Sequence, residues 1–201
     1  MKNTFVVLLD HRILVPLLVI LSLNSCISSS RLFVEEDIIY SSKRAELRYT
    51  VKDQNLRSPL NYLRQSIVKN ISANQESSYT AYDILYMSSS SFKLEDKVFL
   101  IIDGEPFQMT LSSKELDTHR SISEDKTSVL ASDSTSISVT TGYSENNSKI
   151  VRISYNISGD IISKIKSSNQ IMLRYYSGPS MITVRMGYQT LKKLKHLIDL
   201  T

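Results

Sequence analysis

The stretch VFLIIDGEPFQMTL, residues 98–111, carries the strongest local fold signal in this sequence. An apolar run at 98–102 is followed by Asp103-Gly104 and then by a second β-forming segment. Asp-Gly supplies the positive φ angles that a two-residue hairpin turn requires, and Pro106 is tolerated where a strand begins. Because the first segment is apolar on both faces, we expect it to be a central strand of a sheet.

Several other segments are predicted as strands, because they alternate apolar and polar residues or, at 79–87, are rich in aromatic and β-forming residues. These predicted strands cover residues 45–51, 79–87, 171–175 and 182–186. A second hairpin is predicted from residues 135–143 and 149–157, with its turn at 144–148.

Two segments are less regular. Residues 32–40 hold three acidic residues between apolar pairs and fit either a short helix or an edge strand. Residues 112–133 are polar and charged without a sustained period. We therefore expect a mobile loop at 112–133, with one helical turn at 114–117.

Three segments have helical spacing. Ser58-Pro59 is typical of a helix start, and apolar residues then recur at helical intervals: Leu60, Leu63, Ile67 and Ile71. Further helices are predicted at 159–166 and from Tyr188, whose inward face would hold Tyr188, Leu191, Leu194 and Ile198. Together these elements predict a single α+β domain over residues 32–201. We expect it to be mainly antiparallel sheet built from hairpins, with two or three helices packed on one side.

The first 26 residues differ in character from the rest. Lys2 and Arg12 precede an uncharged, mostly apolar run of 11 residues, 13–23. As a helix this run would reach roughly 16 Å, about half of the ~30 Å hydrocarbon core of a bilayer. It is too short to span a membrane and fits the apolar region of an export signal.

The residues Leu23-Asn24-Ser25-Cys26 resemble the lipobox of bacterial lipoproteins, with Asn24 where Ala, Ser or Thr is commoner. In that family a dedicated peptidase cuts before the cysteine, which then carries diacylglycerol and an N-acyl chain. The resemblance implies a signal peptide at 1–25, lipid attachment at Cys26 and a polar tether at 26–31. No Asp or acidic cluster follows the cysteine directly, so the resemblance implies outer-membrane anchoring that faces the periplasm.

Composition narrows the function classes. Cys26 is the only cysteine, so an internal disulfide is excluded. Removing residues 1–25 leaves 22 basic and 19 acidic side chains, a mild and dispersed balance. That balance does not favour nucleic acid as a partner.

The sequence contains no recognisable set of catalytic residues. His119 and His196 are 77 positions apart, and neither has a metal-ligand partner at close spacing, so we expect no metal and no cofactor. Ser-x-x-Lys occurs four times, a frequency that a Ser- and Lys-rich chain explains by chance: Ser66/Lys69, Ser90/Lys93, Ser123/Lys126 and Ser163/Lys166. Phosphate-binding glycine loops and the Gly-x-Ser-x-Gly elbow are absent from the sequence.

One set of residues could form a recognition patch for a sugar or a peptide. Its members are aromatic or basic and lie in the predicted C-terminal elements: Tyr155, Arg174, Tyr175, Tyr176 and Tyr188. The structural alternative is that tyrosines on strands bury their rings and place their hydroxyls at the rim.

These observations favour a lipid-anchored cell-envelope protein that acts as a non-enzymatic binding or assembly module. Its expected partners are the membrane, through the N-terminal lipid, and an envelope protein or glycan. The alternative is an envelope hydrolase that uses scattered carboxylates or serines on glycan or peptide. A deep pocket with converging acidic or Ser/Lys side chains would favour the hydrolase.

Overall fold

A computed structural model describes residues 30–39, 41–53, 55, 57–73, 76–130 and 136–201. The predicted signal peptide and Cys26 lie outside these residues. Ser30 and Arg31, at the end of the predicted tether, belong to the folded body: Ser30 is buried and Arg31 begins the first strand. The Nζ of Lys193 donates a hydrogen bond to the carbonyl of Ser30.

Ten strands and two helices make up the described part of the chain. The strands are β1 (Arg31–Asp37), β2 (Ser42–Lys52), β3 (Leu60–Ile71), β4 (Ser77–Ser88), β5 (Leu94–Ile102), β6 (Glu105–Met109), β7 (Leu111–Leu130), β8 (Ser136–Asn156), β9 (Ile171–Ser177) and β10 (Ser180–Arg185). The helices are α1 (Gly159–Ser167) and α2 (Tyr188–Asp199).

The strands form two antiparallel sheets. The larger sheet has six strands in the order β1-β2-β3-β4-β8-β7, and the smaller sheet has four in the order β10-β9-β5-β6. Both sheets and both helices contribute to one hydrophobic cluster. The prediction of a sheet-dominated, mostly antiparallel fold is confirmed, with two helices in the described residues.

The hairpin at residues 98–111 forms as predicted. Asp103 and Gly104 have φ angles of 47° and 94°, as a tight hairpin turn requires. The first strand, β5, lies between β9 and β6 and is therefore internal to its sheet. The Asp103 carboxylate accepts hydrogen bonds from the backbone N–H groups of Asn169 and Gln170, which ties the turn to the connection between α1 and β9.

The segment predicted as a helix after Ser58-Pro59 is strand β3, so that prediction is wrong. Leu63, Ile67 and Ile71 are four residues apart, and four is a multiple of the two-residue period of a strand as well as about one helical turn. The positions between them on the same buried face are Gln65 and Lys69. Two polar residues at core positions hid the alternation that would have indicated a strand.

The loop predicted at 112–133 is also wrong, because residues 111–130 form a 20-residue strand, β7. It pairs with the 21-residue strand β8 from Leu111 opposite Tyr155 to Leu130 opposite Ser136. The predicted turn at 144–148 lies inside β8, so the second predicted hairpin is wrong as well. On β7 and on residues 136–147 of β8, most described side chains are exposed on both faces, and the apolar period that usually indicates a strand is therefore weak there.

Helix α2 is held against the larger sheet through its C-terminus. Lys69 of β3 is only 4% exposed, and its Nζ donates to the carbonyls of Ile198, at 2.8 Å, and Leu200. These carbonyls have no partner within the helix, so a cation there satisfies them and interacts favourably with the helix dipole. An ion pair of 2.6 Å between Lys166 and Asp199 joins α1 to the same end of α2.

Lys69→Met should lower the free energy of unfolding by about 1–3 kcal/mol, because it keeps the apolar stem and leaves buried carbonyls without a donor. Chemical denaturation at neutral pH measures this change. The matched control is Lys97→Met, whose side chain is mostly exposed and which should change stability by less than about 0.5 kcal/mol. Equal effects of the two substitutions would show that Lys69 does not hold the helix end.

Candidate functional site

The five sequence-predicted binding residues do not form one surface. Tyr155 and Tyr175 lie in the core, at 1% and 0% exposure, so their prediction as surface binding residues is wrong. Tyr175 alternates along β9 with Arg174 and Tyr176, which point to the opposite, outer face of the smaller sheet. Tyr188 stands apart at the start of α2, where it is 74% exposed and not on the predicted inward face.

Arg174 and Tyr176 belong to a partly exposed row on the outer face of the smaller sheet. The Nε of Arg174 donates to the hydroxyl of Thr183 at 3.2 Å. The ring of Tyr176 contacts that of Phe99 edge to face, with centroids 6.0 Å apart, and Met181 lies opposite Tyr176 across the strands. These contacts are within the sheet and account for the positions of both predicted residues.

Tyr155 and Tyr175 instead belong to a buried polar cluster, which we define as Tyr49, Gln65, Asp83, Tyr155 and Tyr175. Tyr49, Gln65 and Asp83 are directly opposite one another on β2, β3 and β4. The Tyr49 hydroxyl donates to Oε1 of Gln65, and Nε2 of Gln65 donates to Oδ1 of Asp83 at 2.5 Å and to the Tyr155 hydroxyl at 3.1 Å. Tyr175 donates to Oδ2 of Asp83 at 2.8 Å, which links the smaller sheet to the larger one.

Asp83 carries the one carboxyl of this cluster, and its pKa is shifted. Burial raises its pKa from 3.8 to about 6, while hydrogen bonds from Gln65, Tyr175 and Tyr155 act in the opposite direction. Among the described residues no lysine or arginine forms an ion pair with it. Burial and the nearby carboxylate raise the pKa of all three tyrosines well above 10, so their hydroxyls remain protonated donors.

The buried polar cluster is suited to holding the two sheets in register rather than to catalysis. All five side chains are buried, so a substrate has no path to Asp83 in this arrangement. Sequence reasoning placed Asp83 on a strand but missed its role. The available signal was an acidic residue in the middle of an alternating apolar row, Tyr79, Ala81, Leu85 and Met87.

The cleft around Tyr188 is a surface feature of about 470 Å³ beside the N-terminus of α2. Its polar lining includes Lys52, Asp53, Gln170 and Arg185. The charges are of both signs, and Lys52 is exposed to solvent. The cleft therefore has no marked preference for an anion or a cation.

The most exposed extended feature is the outer part of the β7–β8 pair. Strand β4 pairs with β8 only over residues 148–156, whereas β7 pairs with β8 along its whole length. Residues 120–130 and 136–147 therefore continue beyond the six-stranded part of the sheet, and we call them the distal ribbon. Its described side chains are nearly all exposed, including several apolar ones: Ile122, Val129, Ile137, Val139 and Tyr143.

The Ser-x-x-Lys pairs do not form hydrolase-like dyads. On a strand, residues three apart point to opposite faces, which separates Ser66 from Lys69. Ser66 donates to Glu46 on the outer face, and Lys69 faces the core. On α1, Ser163 donates to the carbonyl of Gly159, and Lys166 pairs with Asp199.

The described residues contain no group of three or more His, Cys, Asp or Glu side chains placed to hold a metal ion. None of the helices in this part of the chain is long and apolar enough to cross a bilayer. Comparison of the chain with protein-family models, with curated proteins and with solved structures finds no match.

Proposed function

We propose that this chain is a lipid-anchored protein of the bacterial cell envelope, attached to the outer membrane and facing the periplasm. We also propose that it is a non-enzymatic binding or assembly module. The observation that carries the binding role is the distal ribbon. A two-stranded ribbon gains little stability by itself in water, and this one contributes no residue to the core cluster. Such an exposed, paired extension is suited to contacts with another molecule, here an envelope protein or a glycan.

The sheet order supports a division between an anchoring side and a binding side. Strand β1 follows the predicted lipid site and lies at one edge of the larger sheet, whereas β7 lies at the other. Five strand-to-strand steps of about 4.8 Å separate these edges by about 24 Å. The strand pair that forms the ribbon therefore lies on the side of the sheet opposite β1, the strand nearest to the predicted lipid site.

The non-enzymatic role is supported by the placement of the reactive side chains. The raised pKa of Asp83 belongs to a carboxyl enclosed in the core, and the serine–lysine pairs on β3 and α1 have partners of their own. No observation on the described residues favours the hydrolase alternative.

Cys26→Ala should move the protein from the membrane to the soluble fraction and abolish its labelling by a fatty-acid analogue. More than one acyl chain gives stable anchoring because each buried CH₂ contributes about 0.8 kcal/mol. Fractionation and acyl labelling of intact cells measure both effects. The matched control is Ser25→Ala, which keeps a small residue before the cysteine and should remain on the membrane. Unchanged fractionation of Cys26→Ala would refute the anchor.

A further inference from the structure

The outer side of β7 is one of the two edges of the larger sheet, and β1 forms the other. β7 is the last strand in the sheet order, so the backbone groups on its outer side have no strand partner among the described residues. Near its start, Lys114 contacts Leu94 and Asp96 of the strand β5. Residues 118–126 lie beyond that contact and form an exposed edge of nine residues. A free edge of this kind is a template for a further strand.

The sequence of this edge, THRSISEDK, is self-complementary about Ile122. Two copies related by a two-fold axis perpendicular to the sheet would pair antiparallel, with Ile122 opposite Ile122 of the other copy. Arg120 would then lie opposite Glu124, and His119 opposite Asp125, each twice. Opposite charges at directly opposed positions, here those of the two Arg120–Glu124 pairs, stabilise a pair of strands.

Neighbouring registers are unfavourable. A two-fold axis perpendicular to the sheet keeps each side chain on its own face, and directly opposed residues share a face. The axis must therefore lie between a residue and the same residue of the other copy, so the register can change only by moving the axis to another residue. Moving it to residue 121 would oppose Asp117 to Asp125, and moving it to residue 123 would oppose Arg120 to Lys126. Like charges directly opposite each other destabilise such pairs, so the charge pattern selects one register.

The side chains needed for this pairing are available at the surface. Ile122 is 60% exposed and, like the other apolar residues of the distal ribbon, lies outside the core cluster. The side chains of Arg120 and Glu124 are 63% and 49% exposed. Within the chain, Arg120 pairs with Glu145 at 2.9 Å and Glu124 with Lys126 at 3.1 Å, so both already extend along the ribbon.

We propose that two copies of this chain associate through residues 118–126 of β7, which pair antiparallel with Ile122 on the two-fold axis and join the two larger sheets into one. This inference deepens the proposed assembly function and rests on it. The contact is small compared with stable interfaces, so it depends on the membrane to concentrate the two copies.

The register can be tested by disulfide formation in membranes from cells that make the full chain. Ile122→Cys should give a covalent dimer under mild oxidation, because directly opposed residues have Cα atoms about 4.5–5.5 Å apart. The matched control is Ser128→Cys, an exposed residue on the same strand. In the proposed register its two copies are twelve residues apart, or about 40 Å, and should not form a disulfide. The unsubstituted chain controls for Cys26, its one native cysteine.

The charge pairs can be tested in the Ile122→Cys background by two reversals, Arg120→Glu and Glu124→Arg. Alone, each opposes like charges at both Arg120–Glu124 positions and should reduce dimer formation by roughly tenfold. When the two variants are made together with different tags, a mixed dimer regains opposite charges at both positions and should form as in the parent chain. Because the mixed dimer needs both ribbons intact, its recovery shows that neither substitution disrupts the ribbon.

Absence of the covalent dimer of Ile122→Cys, an equal yield from Ser128→Cys, or failure of the mixed dimer to recover would overturn the proposal. A disulfide between the Ile122→Cys variant and a different protein would overturn it too and would identify another kind of partner. Fractionation of the same samples distinguishes a failure of self-association from a failure of the lipid anchor. Loss of pairing in a chain that stays on the membrane refutes self-association only, whereas a chain found in the soluble fraction refutes the anchor.

Discussion

Replacing Asp83 by asparagine should remove a pH dependence of roughly 3 kcal/mol from the stability of this protein. The pKa of Asp83 is raised by burial from 3.8 in the unfolded chain to about 6 in the folded one. The folded state therefore binds the proton more tightly. The resulting stability is fully present below about pH 4 and is lost as the pH rises through about 6. Between about pH 4 and pH 7, the native chain should lose this contribution and Asp83→Asn should not.

Urea denaturation at intervals from pH 4 to pH 8 measures this effect as the difference between the two free energies of unfolding. The difference should change by roughly 3 kcal/mol across that range in the direction that favours the asparagine variant at high pH. Glu115→Gln makes the same chemical change at an exposed position and should follow the native chain. If the curves of Asp83→Asn and the native chain are parallel, the carboxyl does not titrate in the core.

Leu85→Ala should lower the free energy of unfolding by about 2–5 kcal/mol. Leu85 is 0% exposed and lies directly between Leu63 of β3 and Val151 of β8 on the core face of the larger sheet. Truncation removes buried methyl groups and leaves a cavity that the flanking strands cannot easily fill. For a protein of this size the melting temperature should fall by about 2–4 °C for each kcal/mol.

The matched control for this core substitution is Leu116→Ala on β7. Leu116 is a leucine on a strand of the same sheet but is 59% exposed. Its truncation should change stability by less than about 0.5 kcal/mol. Similar losses for the two variants would mean that the β7 edge is buried in solution, a result that would itself point to a covered edge.

Elements whose signals are local could be predicted from the sequence. The Asp103-Gly104 hairpin, the strand that contains Leu173 and helix α1 each carry their own turn residues or period, and each forms as expected. The alternation at 182–186 also reports a strand correctly, because one of its faces packs on the core and the other does not.

Elements defined by distant partners could not be predicted in this way. Strand β3 carries Gln65 and Lys69 on its core face, and each is compatible with burial only because of residues far along the chain: Asp83 for the first and Ile198 for the second. Strand β7 is polar on both faces and is identified as a strand only by its pairing with β8.

The candidate surfaces show the same limit. The predicted recognition patch grouped Arg174, Tyr175 and Tyr176, which are neighbours in the sequence. On strand β9 they alternate between the outer face and the core face of the smaller sheet. The distal ribbon was not predicted, because a sequence shows which segments can extend but not where a neighbouring strand stops. The pairing of β4 with β8 ends at Ser148, and no local feature of the sequence marks this residue as the start of the distal ribbon.

In the proposed lipid-anchored form, the buried position of Ser30 limits the distance between the folded body and the bilayer. Ser30 is four positions after Cys26, and even a fully extended chain of four steps reaches about 14 Å. With acyl chains on Cys26, this short connection would hold the folded body close to the lipid headgroups. Its reach is then lateral rather than outward, and the molecules it meets most often share the same leaflet.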